Sequence, residues 1–299
     1  MSSDLRRGLR FAFAAAFISG FSVFANKFFV DSFQDPYLFT TLKNTAVAAL
    51  LISALAVGGR VGTLSRISLR DWLRLLALGL VGGSVPFLLF YQGLSMTSAA
   101  NASLIHKSMF LYVGALAVLL FHERLNMRLL AVAFVLLTGN LVAVGLNAST
   151  FGFGDVLVFA ATLLWAIETI IAKKALASVD TQVVAGARMF FGSIVLLAFL
   201  SSTGRIGSAF QLSARQSLVT AASAVILLSY VVSWYGGLKR LSATTASVIL
   251  LVGSPVTTAL SMLVLSRAAP AYELFGGVLI LAGAAAYLRF QDNPQHVNC

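Results

Sequence analysis

Residues 91–107 read YQGLSMTSAANASLIHK, and residues 235–251 read YGGLKRLSATTASVILL. Tyr91 stands against Tyr235, Gly93-Leu94 against Gly237-Leu238, Ser98-Ala99 against Ser242-Ala243, and Ala102-Ser103 against Ala246-Ser247. The offset of 144 (235 − 91) holds without a gap as far as Gly145 and Arg289, carrying Gly139 onto Gly283. One unit therefore occurs twice, over residues 1–148 and 149–299. A bilayer core of roughly 30 Å needs about 20 apolar residues per helix, and ten such stretches are present. They run over 9–30, 36–57, 72–95, 99–120, 127–146, 153–174, 181–201, 216–238, 243–265 and 271–290. Five crossings per copy is an odd number, so the second copy must lie upside down relative to the first. The expected fold is an all-α membrane protein of ten transmembrane helices, built as two inverted five-helix repeats. Such a pair can exchange conformations around a midplane site, which is the basis of alternating access.

Composition points the same way. Fifty-nine per cent of residues are hydrophobic, 10% are charged, and the mean hydropathy is +0.92. Soluble domains carry about 25% charged residues, so lipid is the solvent here. Little chain is left for a domain outside the bilayer, and no Gly-x-x-x-x-Gly-Lys-Ser/Thr phosphate loop occurs, so nucleotide hydrolysis has nowhere to reside. A net charge of +11 suggests nucleic acid until its placement is read. Ten spans put both termini on one side, with fourteen basic residues, Arg6, Arg66, Arg124, Lys174 and Arg240 among them. Four face the other side (Lys27, Arg205, Arg215, Arg267), and Lys43, Lys107 and Arg188 fall inside spans. This positive-inside bias is expected to place both termini in the cytoplasm and makes the basicity a topology signal with no nucleic-acid partner. The lone Cys299 has no partner for an intramolecular disulfide and lacks the three following residues of a prenylation motif. The basic residues before Ala14-Ala15-Ala16 resemble a signal peptide, yet that run is too long and has a counterpart in the sixth span, so it is expected to be a retained helix.

The connections are short: Asp31 to Pro36, Ser95 to Ser98, and Asn147 to Gly152 at the repeat boundary. The longer second-to-third and seventh-to-eighth connections occupy matching places. Glycines at 79, 82, 83, 236, 237, 276, 277 and 283 are expected to let helices approach closely in lipid. Pro86 and Pro255 each remove a backbone hydrogen bond inside a span, and each is read as a kink or hinge, at non-equivalent places in the two copies.

The quartet Ala102-Ser103-Leu104-Ile105, followed by an apolar helix and Phe121-His122-Glu123-Arg124-Leu125, resembles the EamA family of the drug/metabolite transporter superfamily. Ala246-Ser247-Val248-Ile249, Gly253-Ser254-Pro255 and the run Gly276 to Gly283 repeat it, and Gly154-Asp155 with Trp165-Ala166 resembles the family's start of a repeat. Lys43 and Arg188 fall where the family carries a basic residue early in helix two of each copy. Ser19 replaces the first-copy tryptophan, Leu111 the helix-four proline, and Arg267 the second-copy glutamate. Within the family the chain is similar to the YddG-type bacterial amino-acid exporters. The resemblance implies a permease working without nucleotide hydrolysis.

A charge at mid-membrane costs about 2.5–3.5 kcal/mol, so each one needs a reason. Lys107 lies near mid-depth, and Ser103, Lys107, Phe110 and Gly114 share a stripe expected to face a hydrated cavity; snorkelling outward or pairing with another span is the alternative. His106 points about 100° away, as a proton carrier or a packing residue. Lys43 and Arg188 lie on opposite membrane faces if the repeats are inverted, which makes them candidate gate charges. Asp31 or Asp35 is the expected partner of Lys43, and Glu168 that of Arg188; snorkelling or neutralising helix ends is the alternative. Glu168 could also meet Lys173. Trp165, Glu168 and Thr169 share a face, as do Phe87 with Tyr91 and Tyr230 with Trp234. Such rings suit an amphipathic ligand whose charged ends Asn101, Ser103, Lys107 and Glu168 could orient. Tyr37, Trp72, Tyr272 and Tyr287 are assigned to interfacial belts. Gly152-Phe153-Gly154-Asp155 matches the string of intramembrane aspartyl proteases, but no second membrane aspartate exists to share its proton, and Asp155 fits a helix start.

The expected function is a secondary or facilitative permease for amino acids, aromatic ones included, and related metabolites. Other metabolites, nucleotide sugars or cationic drugs are the alternatives inside the superfamily, and a membrane-embedded enzyme the alternative outside it. No metal, cofactor or catalytic residue is expected. The partners are the bilayer and a small molecule; a monomer suffices for one pathway, and the packing glycines permit a dimer.

Overall fold

The computed structural model describes residues 3–121, 127–144, 151–266 and 268–291, which form helices and connections with no strand among them. The helices are α1 (Ser3–Asp31), α2 (Pro36–Val57), α3 (Leu69–Val81), α4 (Val85–Met96), α5 (Ala99–Lys107), α6 (Met109–Phe121), α7 (Met127–Val144), α8 (Phe153–Ala175), α9 (Thr181–Ser202), α10 (Ala214–Arg240), α11 (Ala243–Leu250), α12 (Gly253–Leu265) and α13 (Ala271–Gln291). With α3–α4, α5–α6 and α11–α12 each counted as one, nine segments among the described residues are long and apolar enough to cross a membrane. The remaining expected span, 127–146, falls on α7, which packs against α13. Residues 122–126 and 145–150, which carry the His122-Glu123-Arg124-Leu125 signature and the repeat boundary, lie outside the described residues, as do Arg267 and Cys299.

Capping explains why the helices begin where they do. Asp35 Oδ1 accepts from the backbone N–H of Tyr37 at 2.9 Å, and Pro36 occupies the first helical position, where its missing N–H has no role. Ser98 and Ser242, a matched pair of the duplication, both accept from the third residue of the helix they open, α5 and α11. The side chain of Asp155 accepts from the Gly152 N–H at 2.9 Å and from Thr97 Oγ1 at 2.7 Å, so the Gly-x-Gly-Asp string is a helix start. Large apolar side chains such as Phe17, Leu50, Leu119 and Leu263 remain exposed around the bundle, as a lipid-facing surface requires. Tyr287 is a correction: 4% exposed, it belongs to the core between α7 and α13 and not to an interfacial belt.

Three spans expected to be continuous are each two helices end to end. The break between α3 and α4 lies at Gly82-Gly83-Ser84, where the chain presses against α8 and α9. A Cβ on Gly82 would sit 2.3 Å from Glu168 Cγ, and one on Gly83 2.2 Å from the Arg188 carbonyl oxygen. The other two breaks fall at Ser108 and Val252, which are themselves 144 apart (252 − 108), and in both the backbone tightens into i→i+3 bonds. Pro86 and Pro255 accordingly stand in the first turn of α4 and of α12. They open half-helices where a kink in a continuous helix was expected. Short 3₁₀ helices, Val61–Arg66 and Ile206–Phe210, occupy the two matching longer connections.

The ends of the bundle are fixed by polar contacts. At one end Arg240, closing α10, pairs with Asp4 of α1 at 3.1 Å; Lys173, near the end of α8, donates to the Leu238 and Leu241 carbonyls; and Arg60, after α2, pairs with Asp180 before α9 at 3.1 Å. At the other end Lys27 of α1 donates to the Leu94 and Ser95 carbonyls of α4, Thr97 after α4 meets Asp155 of α8, and Arg205 after α9 pairs with Asp35 before α2. The start of α1 thus lies with the end of α8, and the end of α2 with the start of α9. Within the bundle α5 packs on α12 and α6 on α11. The Arg60–Asp180 pair is half-exposed on both sides, so Arg60→Gln is expected to lower stability by no more than about 1 kcal/mol, read as thermal unfolding in detergent.

Candidate functional site

Halfway along the bundle a cavity opens between elements of both copies. Its wall is made by Ser19, Ser22 and Val23 of α1, Phe87, Phe90 and Tyr91 of α4, and His106 and Met109 of α5 and α6. Opposite stand Trp165, Glu168 and Thr169 of α8, Arg188 of α9, and Leu227, Tyr230 and Trp234 of α10. The i, i+3 and i+4 spacings within α1, α4, α8 and α10 are what turn these side chains to a common side.

The α3–α4 break organises the charged part. Ending α3 at Val81 leaves the Gly82 carbonyl to be satisfied from outside the helix. It accepts from Arg188 Nη2 at 2.9 Å and from Trp165 Nε1 at 3.1 Å. Arg188 Nε lies 3.7 Å from Glu168 Oε1, both side chains being almost fully buried, and the Tyr235 hydroxyl donates to the same carboxylate oxygen. Arg188 Nη1 has no hydrogen-bond partner among the described residues. A bare guanidinium is strongly disfavoured in such a place, and Glu168 is what makes it tolerable.

Rings surround this pair. Phe87 stacks along Tyr91 at 6.2 Å and 10°, and Tyr230 along Trp234 at 6.3 Å and 11°. Trp165 meets Phe87 at 5.3 Å and Phe90 at 5.2 Å, and His106 stands edge-on to Trp165 at 4.9 Å, its Nδ1 unpartnered among the described residues. Lys43 of α2, with no exposed surface, lies behind the wall: its Nζ is 3.4 Å from the Tyr91 ring centre and 5.2 Å from those of Phe39 and Phe87. Ring faces attract an ammonium, but Nζ finds no hydrogen-bond acceptor among the described residues.

Seven of the ten expected pathway residues, Phe87, Tyr91, His106, Trp165, Glu168, Tyr230 and Trp234, meet at this cavity, and Arg188 joins them with Glu168 as its partner. Other expectations are corrected. The stripe from Ser103 to Gly114 does not line the cavity: Ser103 bonds Thr257 Oγ1 at 3.1 Å, Lys107 Nζ donates to Ser19 Oγ, and Phe110 packs in the core beside α13. His106, about 100° round α5 from Lys107, occupies the wall instead, because the Ser103 and Lys107 face of the helix is turned to Thr257 of α12 and Ser19 of α1. Asn101, in the first turn of α5, is half-buried and away from the lining. Neither Asp31 nor Asp35 serves Lys43, since Asp31 pairs with Lys27 at 3.5 Å and Asp35 with Arg205. Lys43 and Arg188, expected on opposite faces, both approach the Phe87 ring, at 5.2 and 5.4 Å. Lys173 donates to carbonyls at the end of α10, while Glu168 pairs with Arg188. Ser19, Ser22, Phe90 and Tyr235 were not foreseen here; Tyr235 carried a signal, its match to Tyr91 across the duplication.

A multi-pass helical bundle that encloses a ring-lined, charge-bearing cavity between two copies of one unit has the build of a membrane transporter. The chain belongs to the EamA-like transporter family, whose pattern matches residues 6–145 and again 152–289. It is similar to a protein of Archaeoglobus fulgidus named as an uncharacterized transporter, 25% identical over 71% of this chain and 75% of that one. A second protein of that name, from Methanothermobacter thermautotrophicus, is 30% identical over 47% of this chain and 43% of its own length. A solved crystal structure superimposes with a TM-score of 0.74, at 20% identity, over 97% of this chain and 99% of the other, which supports the fold alone. Family and relatives point to a transporter and away from an enzyme.

Proposed function

We propose that the chain is a ten-crossing permease of the bacterial inner membrane with both termini in the cytoplasm, moving amino acids, aromatic ones in particular, by alternating access between two inverted repeats. It would stand closest in type to the YddG-like exporters. The observation that carries the substrate reading is the buried Glu168–Arg188 pair set among Phe87, Tyr91, Trp165, Tyr230 and Trp234 in one cavity. Rings give an aromatic side chain apolar and edge-to-face contact, and the charged groups give a zwitterion something to orient against. Inversion is supported by the bundle's ends: α1 and α8, which open the two copies, keep opposite ends together, and so do α2 and α9. Alternating access is supported by the cavity's position between the copies and by paired breaks at Ser108 and Val252, where half-helices can pivot. Purified protein in vesicles preloaded with phenylalanine is expected to accumulate labelled phenylalanine by counterflow, chemically unchanged. No accumulation, or recovery of a converted product, would contradict the proposal.

A further inference from the structure

The cavity's two halves are not equivalent, and the difference names the group that a substrate must bring, an inference resting on the transport reading above. The two family matches begin at residues 6 and 152, and that offset of 146 (152 − 6) sets Ser19 against Trp165 and Ser22 against Glu168. Lys43 and Arg188 are each the eighth residue of their helix, α2 and α9, behind a capping aspartate, and Tyr91 stands against Tyr235. In the second copy a guanidinium lies 5.8 Å from the Tyr235 ring and its charge is answered by Glu168. In the first copy Lys43 Nζ lies 3.4 Å from the Tyr91 ring, and the place of a carboxylate is taken by Ser22, whose hydroxyl on the cavity wall accepts from Asn26 Nδ2 at 2.8 Å. Among the described residues Glu168 is the one carboxylate lining this cavity. Lys107, 1% exposed, adds a second ammonium behind the wall, held by Ser19. The cavity is therefore framed by three basic groups and one acid. Both rings that Lys43 faces, Phe87 and Tyr91, belong to the lining, so its field reaches the cavity through apolar matter that screens poorly.

We propose that a substrate carboxylate settles on the Ser22 side of the cavity and answers Lys43 across the Phe87 and Tyr91 rings, where Glu168 answers Arg188 directly, so that the ligand class is aromatic carboxylates, with the amino group dispensable. The ring of the ligand then lies among Phe87, Tyr91, Trp165 and Trp234. A cationic aromatic amine is refused, because the basic groups Arg188, Lys43 and Lys107 surround it and the one lining carboxylate is already paired with Arg188.

Trp165 and Trp234 make binding directly readable as a change in tryptophan emission of the purified full chain in detergent. Phenylpropionate keeps the ring and carboxylate of phenylalanine, and phenethylamine keeps the ring and amine. Phenylpropionate is expected to bind at least about tenfold more tightly than phenethylamine, because the basic groups around the cavity favour the one charge and oppose the other across apolar matter. Ser22→Glu, which supplies the missing carboxylate from the protein, is expected to weaken phenylpropionate about tenfold or more relative to Ser22→Gln, of the same size without the charge. Equal binding of the two probes, no response to phenylpropionate, or equal effects of the two substitutions would overturn the inference. The probe comparison stands without either variant. Failure of phenylalanine counterflow alongside the expected binding order would remove the transport reading and leave the carboxylate preference of the cavity standing as a binding property.

Discussion

Glu168→Gln is expected to lower the stability of the protein by about 3–5 kcal/mol and to abolish counterflow, because it leaves a buried guanidinium without its counter-charge. Glutamine has the volume of glutamate and can still accept from the Tyr235 hydroxyl, so neither packing nor that hydrogen bond is the variable. What changes is Arg188, 3% exposed, which keeps the Gly82 carbonyl but loses the carboxylate 3.7 Å from its Nε. Removing both charges in Glu168→Gln with Arg188→Gln is expected to recover part of the stability while transport stays lost. Thermal unfolding in detergent checks this; a single variant as stable as the parent would show that the pair is not what holds Arg188 in the wall.

Gly83→Ala is expected to be the most damaging substitution of a single hydrogen by a methyl group. Its Cβ would lie 2.2 Å from the Arg188 carbonyl oxygen and 2.9 Å from that of Gly79, both backbone atoms that cannot turn aside. On the facing helix a Cβ at Gly192 would lie 2.4 Å from the Gly83 carbonyl oxygen, so the two glycines form one contact between the α3–α4 break and α9. Forcing them apart is expected to cost at least about 1–3 kcal/mol, the usual range for overpacking, and to pull the Gly82 carbonyl from Arg188 and Trp165. Gly62→Ala, with nothing within 4 Å of the new methyl, is the control and is expected to be neutral. Comparable unfolding temperatures for the two variants would contradict this account of the break.

How much of this could be read in the residues depended on whether a side chain's surroundings were local. The matched Ser98 and Ser242 cap the helices they open, and Trp165, Glu168 and Thr169 reach the cavity together because a helix puts i, i+3 and i+4 on one face. The pairing of Glu168 with Arg188 followed from the cost of either charge alone in lipid. That His106 and not Lys107 reaches the cavity is hidden, because it is set by the contacts of Ser103 with Thr257 and of Lys107 with Ser19, and nothing in the string around Ser108 announces the break that follows. There the Ser108 hydroxyl satisfies the Ile105 carbonyl at 2.7 Å and its N–H contributes an i→i+3 bond. Gly82-Gly83 was read as a packing surface, whereas its role emerges only when α8 and α9 press on it. Sequence proximity offers Lys43 an acidic partner in Asp31 or Asp35, yet both are drawn to bases at the end of the bundle and Lys43 is left to the rings.

The opposed orientation of the two copies is tested most directly by where their matching loops lie. Ser65, in the 3₁₀ segment after α2, and Ser208, in the one after α9, are both exposed and occupy corresponding places. With Cys299 replaced by serine, Ser65→Cys and Ser208→Cys are to be exposed separately, in intact cells, to a membrane-impermeant maleimide. Modification of Ser208→Cys in intact cells, and of Ser65→Cys only after permeabilisation, is the expected result; modification of both from the same side would contradict the account.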